Sequence, residues 1–337
     1  MDGKGLKKKS RKKQVLKEAY AAYSGIWIKY GQEYGGDSME IKTKQNKIFP
    51  LLCGLLVVIA CCFRTMAVLK ESDPQIPPEE IEPFIYLLRK DGEERSIIEP
   101  DITYVEIDNR CGANFDKELL FQKENRIQIT EEPCVLIIHT HGSEAYVDQE
   151  GYRSTDPSKN VIRVGQEIAD RLNRAGIPTI HDRTAHDVTE GYDLAYEQAA
   201  QAIATYLDIY PSIQVVIDVH RDAASDGQGG QKGIYGQIGE ESAAALLLVM
   251  GTDTGELPHE NWQDNLSFAM QLQACLDEKA PGIMRPTSLR GARYNEHFTP
   301  CSVLLEVGAA GNTMEEALRS GGFFGDCLAQ LLWSMDR

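Results

Sequence analysis

Cys134-Val135-Leu136-Ile137-Ile138-His139-Thr140-His141-Gly142-Ser143-Glu144 sets five apolar residues directly against a polar run that ends on a carboxylate. Unbroken apolar residues over that length read as a strand buried on both faces, the kind found inside a parallel sheet. The polar run then falls just past the carboxyl end of the strand. The pattern recurs twice. Ile213 to Val219 leads into His220-Arg221-Asp222, and Ser302 to Val307 carries one acid, Glu306, among apolar neighbours.

Between these strands the periodicity changes to that of helices. Val161, Val164, Ile168 and Leu172 recur at helical spacing within Asn160 to Asn173, which predicts a helix closed before Gly176. Ile177 to Ile180 reads as a strand, Tyr192 to Tyr210 as a helix, Ala243 to Met250 as a strand and Asn265 to Lys279 as a helix. One helix is predicted from Thr313 and another towards Trp333. Strands alternating with helices predict an α/β fold, with a largely parallel central sheet and helices on both faces. Shorter alternation in 101–130 predicts edge strands.

Charge divides the chain. Residues 1–47 hold twelve Lys/Arg against five Asp/Glu, whereas the whole chain has a net charge of -16. Ile48 to Phe63 is uncharged, and beyond Arg64 the apolar run continues to Leu69. Roughly 20 apolar residues cross a bilayer as a helix, so 48–69 is predicted to be a transmembrane anchor if Arg64 snorkels. A cleaved signal peptide competes, but 47 residues ahead of the run make a long leader. The Lys7 to Lys13 cluster then marks the cytoplasmic side, and no nucleic acid partner is expected.

The predicted layout is a basic cytoplasmic segment 1–47, an anchor 48–69, a Pro/acidic stalk and edge segment 70–132, and an extracytoplasmic domain 133–337. The eight Cys show no CxxC spacing, which predicts no disulfide framework.

In α/β domains the site gathers at strand carboxyl ends, so histidines and acids at three such ends predict one centre. A hydrolytic zinc site needs about three protein ligands and an open position for water. His141 and His220 are the first two candidates, with His139 as the rival of His141. Glu144 shares the loop of His141 and is the candidate third ligand, with Glu167 on the following helix as its rival. His181 and His186 flank a later turn and have less claim to a metal. Asp218 or Asp222 could hold the other nitrogen of His220. Arg221 suits either a substrate anion or a structural ion pair. Glu306 is costly to bury unpaired, and beside a metal it would act as the proton carrier.

These motifs resemble the stage II sporulation protein P family of endospore formers, related to zinc-dependent N-acetylmuramoyl-L-alanine amidases. The resemblance rests on Ile138 to Tyr146, on Ile217 to Ala223, on Met250-Gly251-Thr252, and on Asn261-Trp262 with Asn265-Leu266. It continues through Pro281 to Pro286, Arg293-Tyr294-Asn295, Leu305-Glu306-Val307-Gly308 and Gly311 to Ala317.

The resemblance implies a Zn2+ amidase that cuts the bond between muramic acid and the first stem-peptide alanine, with cross-link endopeptidase activity besides. It places ligands at His141 and His220 and the catalyst at Glu306. The related amidases carry their Glu ligand just before the first helix, where this chain has Ser158-Lys159-Asn160. The implied partners are peptidoglycan, the cell membrane and stage II sporulation proteins D and M, in engulfment of the forespore. A wall-binding scaffold without turnover, or a zinc hydrolase of another amide, stays open as an alternative.

Overall fold

The computed structural model describes residues 100–336 apart from 148–150, 190, 226, 228 and 229. The predicted basic segment, the anchor and the Pro-rich part of the stalk lie outside these residues. Among the described residues, no helix is long and apolar enough to cross a membrane.

Seven strands form the central sheet in the order β1-β8-β7-β9-β4-β2-β3. They are β1 (Ile107–Asn109), β2 (Val135–Ile138), β3 (Thr179–His181), β4 (Val215–Asp222), β7 (Leu246–Gly251), β8 (Thr287–Arg290) and β9 (Cys301–Ala309). All neighbours run parallel except β7 and β9. The sheet is therefore two parallel halves joined along one antiparallel seam. The predicted strand Ala243 to Met250 is divided: β6 (Glu241–Ala244) pairs with β5 (Tyr235–Ile238) in a separate hairpin, and only β7 enters the sheet.

The helices are α1 (Lys117–Phe121), α2 (Val161–Arg174), α3 (His186–Thr189), α4 (Ala195–Ile209), α5 (Trp262–Lys279) and α6 (Met314–Met335). The two helices predicted at the carboxyl end are one, α6. Its Gly321 and Gly325 do not break it because α2 packs against them. A Cβ at Gly321 would lie 2.8 Å from Val164 Cγ1, and one at Gly325 would lie 2.9 Å from Arg171 Cβ. A capping box of Thr313 and Glu316 satisfies the first turn of α6.

Strand residues of alternate parity face opposite sides, and the two sides are covered unequally. Ile137, Ile217, Val219, Leu246, Leu248, Val303 and Leu305 pack beneath α2, α5 and α6 in the main core. Val105, Leu120 and Ile127 join that core, so the edge segment packs into the domain. On the other side, α4 packs with a smaller cluster that includes Leu136, Ile138, Val216 and the partly buried Ile180, while Tyr294 lies against Leu247, Val249 and Leu304. Between α4 and Tyr294 this face carries polar residues. Asp218 and His220 lie there, with Glu306 opposite His220 in register.

Candidate active site

His220 and Glu306 are brought together by strand register alone, since parallel partners present their side chains on the same face. His220 is buried beside two carboxylates. Its Nε2 lies 2.9 Å from Asp218 Oδ1 and its Nδ1 lies 3.5 Å from Glu144 Oε2. The first contact has the distance of an ion pair without hydrogen-bond alignment, so Nε2 has no hydrogen-bond partner. Burial opposes charge on the ring, but Asp218 and Glu144 outweigh it and hold the imidazole protonated well above its usual range. Asp218 is buried too. The positive charge of His220 and hydrogen bonds from Thr140 nevertheless bring its pKa down to about 2.

His141 sits above this pair, its ring 5.5 Å from that of His220 and nearly perpendicular to it. Its Nδ1 is buried and unpaired, 4.0 Å from Asp187 Oδ2. Asp187 anchors the loop by accepting hydrogen bonds from the Ser143 amide and hydroxyl and from Arg153.

His139 points the other way. Strand β2 ends at Ile138, so His139 and His141 do not share a face. The His139 ring binds the Val219 carbonyl through Nδ1 at 3.0 Å and His181 through Nε2 at 2.9 Å. A carbonyl only accepts, so His139 carries its proton on Nδ1, and His181 must donate from Nε2. Burial holds both rings neutral, lowering His139 to about 4 and His181 to about 2. The pair packs beneath α2, where a Cβ at Gly165 would lie 2.5 Å from the His139 ring.

The remaining predicted residues separate clearly. Glu144 is at the centre, accepting the Arg221 amide at 3.0 Å. Glu167 is on the far side of α2, tied to Arg163 and Arg171, and does not meet the histidines. Asn160, where the resemblance would put a carboxylate, is buried and caps α2 by accepting the Ile162 amide. Yet the adjacent Val161 amide donates to the Glu144 carbonyl at 2.9 Å, so Glu144 lies beside that position in space.

Arg221 is turned inward and spent on the carbonyls of Ala145 and Tyr152, so it is not free to bind a substrate anion. Asp222 pairs with Arg285 at 2.6 Å and does not hold His220. His186 is paired with Asp182.

Glu306 is half-buried as a residue, but its Oε2 is inaccessible and has no partner. Burial raises it to about 8, with Glu144 and Asp222 adding to the rise and His220 opposing it. The site thus pairs an acid that keeps its proton with an imidazole that keeps its own.

Two aromatic residues, Tyr192 and Tyr196, escaped the sequence reading as site residues, and a third, Tyr294, entered it only within a family motif. Tyr192 stacks on His141 at 4.2 Å with Arg153 over its outer face, Tyr196 meets His141 edge-on at 5.5 Å, and Tyr294 lies 6.0 Å from Tyr196. Tyr192 and Tyr196 sit in a helical pattern that reads as core. Asp187 gave no signal beyond an acid near a helix start.

Among the described residues, no three His, Cys, Asp or Glu side chains stand close enough together to hold a metal ion. The donor chemistry still fits one. His141 Nδ1 is buried without a hydrogen-bond partner, and His220 stands between the carboxylates of Asp218, 2.9 Å from its Nε2, and Glu144, 3.5 Å from its Nδ1, which it balances by keeping an extra proton. A cation would supply that same charge.

Buried imidazoles and carboxylates thus gather on one open face of an α/β sheet. The chain belongs to the stage II sporulation protein P (SpoIIP) family, whose profile matches residues 91–329. It is 25% identical over 234 residues to stage II sporulation protein P of Bacillus subtilis (strain 168), which covers 64% of this chain and 55% of that protein. The chain therefore matches about half the length of that relative. Among solved structures it is similar to the N-acetylmuramyl-L-alanine amidase Ami1 of Mycobacterium smegmatis, at TM-score 0.37 and 16% identity, covering 61% of this chain and 99% of that one. The N-acetylmuramoyl-L-alanine amidase of Clostridium difficile 630 gives TM-score 0.34 and 14% identity, covering 61% and 95%.

Proposed function

We propose that this chain is a membrane-anchored peptidoglycan hydrolase that cleaves the amide between muramic acid and the first stem-peptide alanine during sporulation. One observation carries the reading. His220 and Glu306 stand opposite each other on β4 and β9, with His141 above them, and each of the three has a buried polar atom without a hydrogen-bond partner. Buried polar groups usually find a partner; five other side-chain atoms among the described residues also lack one, but these three belong to residues gathered in one place, which marks a site built for something bound there.

His141, His220 and Glu144 would hold Zn2+, which in such sites polarises the amide carbonyl and lowers the pKa of water. Asp218 orients His220, and its own position is set by Thr140. Glu306 in its carboxylate form takes the proton of the attacking water and delivers it to the departing amide nitrogen, and a pKa raised to about 8 populates both of its forms near neutral pH. Family membership supports a sporulation role, with peptidoglycan as substrate and sporulation proteins D and M as partners. The uncharged 48–69 run and the basic residues ahead of it support an anchor with the site outside the membrane.

The test uses the detergent-solubilised full chain, metal analysis and mass spectrometry of digested sacculi. The expected result is about one zinc per chain and release of intact stem peptides from glycan. His220→Ala should lose both metal and activity, while Glu306→Ala keeps the metal and loses activity. Glycan that keeps all its stem peptides, with zinc added, would sink the reading.

A further inference from the structure

On the His141 side, the wall of the site is a column of three planar groups. Tyr192 stacks on His141 at 4.2 Å with 13° between the planes, and the Arg153 guanidinium lies 4.4 Å from the centre of the Tyr192 ring on its other face. The backbone beside Arg153 is fixed. The Ser154 amide donates to the Ser143 carbonyl at 2.8 Å, the Ala145 amide donates to the Tyr152 carbonyl at 3.1 Å, and Arg221 donates to that same carbonyl at 2.8 Å. Arg153 is thereby tied to the loop that carries His141 and Glu144.

The guanidinium is held at one corner and open along one edge. Nη1 donates to Ser143 Oγ at 3.0 Å and to Asp187 Oδ2 at 2.9 Å, whereas Nε and Nη2 make no hydrogen bond among the described residues. The Arg153 side chain is 48% exposed, so a ligand can reach that edge from solvent. A guanidinium edge matches the two oxygens of a carboxylate. Stacking on Tyr192 holds its plane before a ligand arrives, which lowers the ordering cost of binding. Because the chain carries a net charge of -16, an acidic substrate has to be held by local positive charge of this kind.

We propose that the Nε/Nη2 edge of Arg153 binds the carboxylate of the second stem-peptide residue, with Tyr192 as its positioning residue, and so makes the site selective for an acidic peptide. The proposal rests on the amidase reading. Reach identifies the residue. Two stacking layers of 4.2 Å and 4.4 Å separate the guanidinium from His141, comparable with two extended residues at about 3.5 Å each.

The test is calorimetry on the zinc-loaded full chain carrying Glu306→Gln, which stops turnover. Two soluble muramoyl tripeptides are compared, differing only in a carboxylate or a carboxamide on the second residue. The carboxylate peptide should bind about 30-fold more tightly. Adding Arg153→Gln should remove the preference by weakening the carboxylate peptide alone. Arg153→Lys keeps a charge for Asp187 but has no fork, and should retain a preference of about threefold at most. Tyr192→Leu leaves every hydrogen bond of Arg153 in place and should also reduce the preference. Equal affinity of the parent for the two peptides, or a loss in Arg153→Gln that is the same for both, overturns the assignment. Release of stem peptides from sacculi by the wild type would then leave the amidase reading standing. A wild type that releases none, with a parent that binds neither peptide, overturns both.

Discussion

Glu306 owes its chemistry to a mismatch between its type and its place. An acid within an apolar strand gives up hydration, and with no donor to its Oε2 it keeps its proton up to about pH 8. Because it is uncharged, an amide can replace it with little cost to the fold. We expect Glu306→Gln to melt within about a degree of wild type while digestion of sacculi slows at least ~100-fold, the scale of a lost proton carrier.

The His139 and His181 pair gives a different expectation. Both rings stay neutral in the folded protein, well below their ordinary pKa of 6.5. The unfolded chain therefore binds more protons below that pH. Stability is fully present above about pH 6.5 and is lost as pH falls towards 4, by about 1.4 kcal/mol per unit for each ring. Denaturation at pH 7 and pH 5 should show the loss, and His181→Gln should make it shallower by about one proton.

The histidines at the strand ends were legible because an apolar run stopping at an imidazole is a local pattern. The opposite orientations of His139 and His141 were not, since they depend on where β2 ends. Arg221 turned out to be structural, one of the two roles its charge allowed: it pairs with Glu144 at 3.7 Å and donates to two loop carbonyls, partners that only the fold shows.

At the level of elements, α2 shows how backbone spacing supports the site. Gly165 lets the helix settle on the imidazole pair, and a Cβ there would meet both His139 and His181. Alanine favours a helix over glycine by about 1 kcal/mol, while overpacking costs about 1–3 kcal/mol. The clash is with the His139 ring, already bonded to the Val219 carbonyl, and with His181 bonded to it, so we expect Gly165→Ala to lower the melting temperature despite the gain in propensity. At the start of α6, Thr313→Ala removes the side-chain acceptor of the Glu316 amide and should cost about 1 kcal/mol in a urea titration.

Periodicity revealed β2, β4, β9 and α2 to within a few residues. It misread α6 as two helices, because its glycines suggest breaks until a packed neighbour is known. It also gave no sign that β7 runs against β9. An apolar strand reads alike in either direction, and only the connecting chain decides which way it enters the sheet.

For the whole molecule, charge asymmetry is the feature that reaches beyond the domain. If 48–69 anchors the chain, the full-length protein should sediment with membranes, resist high-salt washing and dissolve in detergent. A chain beginning at residue 70 should remain in the supernatant. Recovery of the full chain in the salt wash would remove the anchor from the account.

The position of β9 has a consequence in time. This strand follows every other strand of the sheet along the chain, yet it lies at the middle of the sheet between β7 and β4 and carries Glu306. No earlier segment can close the sheet in its absence, and pairings this distant along the chain form slowly. A nascent or prematurely ended chain lacks both the keystone of its core and the acid opposite His220. A chain that stops before β9 is therefore expected to be unable to carry out the hydrolysis proposed above, because its acid and the middle of its sheet are both missing.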